Sequence, residues 1–176
     1  MAREASAFGV CVFTMVADLL IDPRWDMTLP ATISLLDDLC DEGLIDGYMN
    51  SSPCSTWSVA RFRPDGPRPL RHRGDWAWGL PGLTAPEQAH VEEANLLCVS
   101  SVLQERAVAE QDGAILHEQP ADPGVAPYPS LFDTDLFKDM VEAIGAQVAE
   151  VDQCAYGGPS RKPSQFWGNG GRAAGP

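Results

Sequence analysis

Cys54 stands in the run Ser51-Ser52-Pro53-Cys54-Ser55-Thr56-Trp57-Ser58, directly after the stretch Leu44 to Asn50. A thiol is a strong soft nucleophile once it is a thiolate, so it needs a base or a positive charge close by. Pro53 restricts the backbone leading into it. Arg61, Arg63, Arg68, Arg71 and Arg73 follow and can supply positive charge. The plain alternative is a packing cysteine, the commoner role of a buried thiol.

Glu118 stands in His117-Glu118-Gln119-Pro120, after the apolar run that begins at Ala114. A carboxyl desolvated in a crevice keeps its proton and can donate it to a ring nitrogen. The alternative is a turn cap facing water. His117, or His90, would be the partner of Cys54 in a cysteine–histidine enzyme. Residues 117 and 118 point to opposite faces of a strand, which weighs against His117 in that role. Asp18 follows the first apolar run, where an acidic residue of a cofactor-binding α/β unit commonly holds a ribose. Asp22 and Asp26 compete for the same role. The arginine-rich segment, with Trp57, Trp76 and Trp78, mixes cations and aromatic rings. That suits a nucleic-acid contact or a lid, or else a disordered surface loop.

The elements that must position these groups follow from periodicity. Gly9 to Ala17 reads as a buried strand. A helix runs from Pro30 to about Glu42, with Thr28 as its N-cap and Gly43 as its end. Leu44 to Asn50 is a second strand. Residues 61 to 86 are too rich in Pro, Gly and Arg for regular structure. Thr84 caps a helix reaching about Gln111, and Ala114 to His117 is a short strand that stops at Glu118. A helix over Thr134 to Gly145 and a strand over Gln147 to Asp152 complete the series, and the tail from Tyr156 reads as turn-rich and frayed. Such alternation means parallel strands joined by crossovers, with ligands gathered at the strands' carboxyl ends. Asp18, Cys54, Glu118 and Gln153-Cys154 all fall at such ends. The expected fold is one α/β domain over residues 1 to 168, with a flexible tail over 169 to 176.

The chain has 176 residues, 44% of them hydrophobic, enough for a domain with a core. No window has the roughly 18 to 20 apolar residues of a membrane span. The apolar stretch after Arg3 is a poor signal peptide, because Glu4 spoils its basic start. The five cysteines include no CxxC pair, so neither a zinc site nor a disulfide framework is expected. An intracellular location, nuclear or cytoplasmic, is the expectation. The net charge of -13 argues against a general nucleic-acid binder, although a local basic arm can still meet DNA.

Taken in order, the motifs resemble those of the cytosine-C5 DNA methyltransferases, within the class I S-adenosylmethionine-dependent superfamily. LIDGYMNSSPCSTWSVAR resembles that family's strand and Pro-Cys loop, and AILHEQP its strand ending in Glu-Asn-Val. DQCAYGGPSRKPSQFWG is similar to the later Tyr-Gly-x-Pro and Arg-x-Arg segment. WDMT resembles the short motif near the cofactor adenine. The segment GPRPLR…WGLPGLT also resembles methyltransferase-like reading frames of retroelement-rich protist genomes, which implies a mobile-element setting. The resemblance implies a three-layer, Rossmann-like fold with a mostly parallel sheet. It further implies S-adenosylmethionine held by Asp18, Asp26, Met27 and Pro53. Cys54 would attack cytosine C6, Glu118 would protonate N3, and Arg161 would assist at the base, which must leave the duplex. Arg61, Arg63, Arg68, Arg71 and Arg73 would face DNA. The family's glycine-rich loop and the strand before it have no counterpart, Gln119 stands for Asn, and Lys162-Pro163-Ser164 interrupts the Arg-x-Arg pattern. The alternative reading is a non-catalytic module of a mobile element that touches nucleic acid through the arginine loop.

Overall fold

The computed structural model describes residues 14–16, 20, 22–157 and 161–170. Asp18 and most of the strand expected over Gly9 to Ala17 lie outside them, and residues 14–16 are not in a strand.

Helix α1 spans Pro30–Asp41 and starts on a proline, whose missing N–H costs nothing in a first turn. Its N-cap is Leu29 rather than the expected Thr28. Thr28 instead donates its backbone N–H and hydroxyl to Asp26 Oδ1, at 2.9 and 2.6 Å, closing the turn before the helix. Helix α2 spans Ala85–Glu110. Glu87 reaches back to the Thr84 N–H at 2.8 Å and so secures the first turn. Helix α3 spans Asp135–Ile144, capped by Thr134 and ended by Gly145 at φ 63°, a conformation that favours glycine.

Strands β1 (Gly47–Asn50), β2 (Ala114–Pro120), β3 (Gln147–Asp152) and β4 (Pro163–Gly168) form one sheet in the order β1-β2-β4-β3. β1 and β2 pair in parallel, while β4 is antiparallel to both β2 and β3. The expectation of a mostly parallel sheet is therefore corrected: one pairing of three is parallel. The strand β4 overturns the expectation of a frayed tail. A 3-10 turn over Gln153–Tyr156 and Gly157, at φ 87°, begins the return of the chain from β3 toward β4. Pro163 takes the first strand position, where a proline is tolerated. Because β4 is inserted against the grain, β1, β2 and β3 still point the same way, and their carboxyl ends meet at one edge.

α2 and α3 cover the face that carries Ile115, His117 and Trp167, and α1 packs on α2. Phe132, Phe137 and Trp167 surround the His117 ring, with the Phe137 centroid 5.2 Å away, edge to face. Among the described residues no helix lies over the opposite face, where the cross-strand neighbours Met49 and Leu116 are exposed. The segment over residues 61 to 86 is irregular, as expected, apart from the 3-10 turns Val59–Phe62 and Gly74–Trp76. It nevertheless buries Leu70, Arg71 and Ala77 and forms part of the core.

Candidate active site

The parallel β1–β2 pair sets the geometry. Asn50 is opposite His117, so the chain leaving β1 runs beside Glu118 and Gln119. Ser51 donates its hydroxyl to Glu118 Oε2 at 2.7 Å. Ser52 accepts from the Gln119 amide, at 2.6 Å on its carbonyl and 2.9 Å on its hydroxyl. Two segments far apart in sequence are thus fastened residue to residue at the carboxyl edge, but on two faces. Ser51 and Glu118 lie on the face that no described helix covers. Ser52, Gln119 and the Cys54 loop lie on the face toward α2, so the edge does not bring Cys54 and Glu118 into one cleft. The strand extends further than expected: Glu118 lies within β2 rather than past its end.

Glu118 is buried, at 7% exposure, yet it is held as a carboxylate. Burial pushes its pKa up, but the neighbouring Ser164 hydroxyl, the hydrogen bond from Ser51 and the charge of Lys162 together outweigh burial and hold it below the ordinary value. Lys162 Nζ sits 3.6 Å from Oε1. This reverses the expectation of a protonated acid. In the sequence Lys162 and Ser164 read only as an interruption of the Arg-x-Arg pattern; the pairing of β4 with β2 is what brings them beside Glu118. Arg161, the residue expected at the base, instead donates Nε to Asp152 Oδ2 at 2.9 Å and is largely exposed.

Cys54 is half-buried. Its loop lies along α2: Ser52 Oγ is 3.6 Å from Cys98 Sγ, and Ser55 Oγ is 3.1 Å from His90 Nε2. A turn closed by the Trp57 N–H on the Cys54 carbonyl, at 3.0 Å, then plants Trp57 in the core. Pro53 is exposed beside it.

Four of the five loop arginines tie the protein to itself. Arg71 is fully buried, 4.1 Å over the Trp57 ring, and donates to the Ala77 carbonyl, Asn95 Oδ1 and the Val91 carbonyl. Burial pushes its pKa down to about 10. Arg73 spans Asp122 at 2.6 Å and Asp133 at 2.9 Å. Arg61 donates to the carbonyls of Ser55 and Arg68, and Arg68 reaches Glu87 at 3.2 Å. Arg63 is exposed.

The residues expected to hold S-adenosylmethionine do not line one pocket: Asp18 lies outside the described residues, and Asp26, Met27 and Pro53 line no described concavity. An open concavity of about 390 Å³ is lined by Arg24, Trp25, Ala31, Thr32 and Leu35. Asp26 and Met27 adjoin it in sequence and are half-buried. The acids expected at a ribose are turned elsewhere: Asp22 onto Arg24, and Asp26 onto Thr28. A second concavity, near Asp112, Gly145 and Gln147, lies at the opposite edge of the sheet from Glu118.

His117 is not beside Cys54. Its Nδ1 is 2.7 Å from Glu105 Oε2, with both side chains fully buried beneath α2. Burial pushes the Glu105 carboxyl up, offset in part by the hydrogen bond and charge of His117.

Among the described residues no group of His, Cys, Asp and Glu is placed to hold a metal ion, and no helix is long and apolar enough to cross a membrane. No family model, no curated protein and no solved structure matches the chain.

Proposed function

We propose that this chain is a Rossmann-like methyltransferase domain resembling the cytosine-C5 DNA methyltransferases, with Cys54 as the attacking thiol and Glu118 as the group that meets the base. What supports the reading is that the chain entering the Pro-Cys loop and Glu118 share the carboxyl edge of the parallel β1–β2 pair, where Ser51 bonds Glu118 and Ser52 bonds Gln119. Ligands of open α/β sheets collect at such an edge.

In this reading the Cys54 thiolate adds to cytosine C6, and the electrons of the C5–C6 double bond move toward C5. Glu118 meets N3. It rests as a carboxylate, so it must take up a proton to donate one. Burial already pushes it that way, and an incoming base that draws Lys162 aside removes part of the opposing pull. S-adenosylmethionine supplies the methyl group that C5 accepts. In this reading Trp25 and Leu35, which line an open concavity, would hold its adenine. The arginine loop contributes order more than charge, since four of its five arginines are engaged within the protein.

Calorimetry with S-adenosylmethionine on the whole chain tests the cofactor part of the reading. Saturable micromolar binding that Trp25→Ala abolishes is the expected result. A folded chain that binds no cofactor contradicts it.

A further inference from the structure

We propose that Glu105 of α2 is a neutral carboxylic acid whose O–H donates to His117 Nδ1 of β2, and that the pair is a pH-sensitive clasp holding the helix on the sheet. The inference goes beyond the methyltransferase reading and does not rest on it. Glu105 Oε2 lies 2.7 Å from Nδ1, and both side chains are fully buried. Among the described residues Glu105 Oε1 and His117 Nε2 have no hydrogen-bond partner. Phe132 and Phe137 flank the imidazole, at centroid distances of 6.1 and 5.2 Å.

Those surroundings decide where the proton sits. A carboxylate beside an imidazolium would bury two charges, each with a polar atom left without a partner, which a low-dielectric interior penalises heavily. The neutral pair leaves an uncharged carbonyl oxygen and an uncharged N–H instead, a smaller cost. Burial is the largest influence on Glu105 and pushes its carboxyl up, against the hydrogen bond and charge of His117. The other ionisable groups at this interface keep their own partners or stay neutral. Tyr48 of β1 donates to Gln104, which donates to Asp37 of α1. Burial pushes Tyr48 up, and pushes Cys40 of α1 up to about 11. Asp135, Lys138, Asp139 and Glu142 of α3 are exposed, and Arg106 of α2 pairs with Glu110 at the surface. β4 brings Trp167 and no charged residue. Glu118 and Lys162 meet on the opposite face.

Loss of the proton would leave a lone carboxylate between α2 and β2. A carboxyl raised by folding adds stability that is fully present below its ordinary value of 4.5 and is lost as pH rises through the raised folded value. The clasp therefore loosens on the alkaline side. α2 also holds the Cys54 loop, through Cys98 and His90, and β2 carries Glu118 next to His117. Both flanks of the carboxyl edge thus hang on this contact.

Two readouts on the whole chain test this. The chain has three histidines, so a His72→Gln, His90→Gln double variant leaves only the His117 imidazole for nitrogen NMR. At neutral pH its Nδ1 should be unprotonated and its Nε2 protonated. A doubly protonated ring, or a proton on Nδ1 in place of Nε2, overturns the proposal, and this readout needs no change at Glu105. The second readout is amide hydrogen exchange, corrected for intrinsic rates. Glu105→Gln supplies an amide N–H that donates to Nδ1 as the acid does and cannot ionise. Protection over α2 and β2 in the wild type should fall by up to about tenfold per pH unit on the alkaline side and stay level in Glu105→Gln. An equal fall in both proteins, or none in either, overturns the clasp.

Discussion

Ser51 and Glu118, 67 residues apart in sequence, meet at 2.7 Å where the chain leaves β1 alongside β2. The contact ties the chain entering the Pro-Cys loop to a buried carboxylate at that edge, and it makes the acid's state depend on Ser51. Glu118 is held below its ordinary value of 4.5. A depressed carboxylate adds stability above its unfolded value, and the gain is lost as pH falls through the lower folded value. Glu118→Gln should therefore destabilise by about 1 to 2 kcal/mol at neutral pH. The gap to wild type should close as pH falls below 4.5. Urea unfolding across that range reads it.

The buried pair Glu105–His117 behaves in the opposite sense. Glu105→Ala leaves a fully buried imidazole without its partner and should cost roughly 3 kcal/mol. Burial raises Glu105, so ionising it becomes a growing cost as pH rises above 4.5. Glu105→Gln cannot ionise, and its deficit to wild type should narrow over that rise. Denaturant midpoints at several pH values measure the trend.

Arg71 is a core residue. Arg71→Ala removes the contact with Trp57 and the hydrogen bonds to the Ala77 carbonyl and Asn95, and should cost roughly 2 to 4 kcal/mol. Arg63→Ala, at an exposed site, should stay within about 0.5 kcal/mol. Any DNA affinity should show a shallow salt dependence, because few of these arginines are free to replace counterions. Thermal melts and a salt titration of DNA binding check the two halves.

Gly168 lets β4 approach β2. A Cβ there would lie 2.6 Å from the Ile115 carbonyl oxygen. Gly168→Ala should cost roughly 1 to 3 kcal/mol by forcing the strands apart. Gly124, at φ 70° with nothing within 4 Å, gives the comparison: Gly124→Ala carries backbone strain alone, about 1 kcal/mol. Thermal denaturation separates them.

The helices were legible because their ends carry local chemistry: Pro30 in a first turn, the Thr84–Glu87 box, Thr134 and Gly145 about α3. β1, β2 and β3 were legible as strands, and their common direction placed Cys54, Glu118 and Gln153 on one edge. β4 was hidden. Its six residues begin with proline and end with glycine, so its pairing with β2 and β3 comes from tertiary partners and not from local propensity. With β4 hidden, the place of Lys162 and Ser164 beside Glu118 was hidden too, and the charge state of Glu118 could not be read. The arginines were misleading for a related reason. Composition records charge, while Arg71 stacked on Trp57 and Arg73 between two aspartates are decided by the fold.

The central claim is that Cys54 attacks a cytosine ring, and trapping tests it most directly. The whole chain is incubated with S-adenosylmethionine and an oligonucleotide carrying 5-fluorocytosine, whose fluorine cannot leave as a proton does. A covalent adduct mapped to Cys54, and missing in Cys54→Ala, is the predicted result. A folded chain that binds the cofactor and the oligonucleotide and forms no adduct at Cys54 would contradict the account.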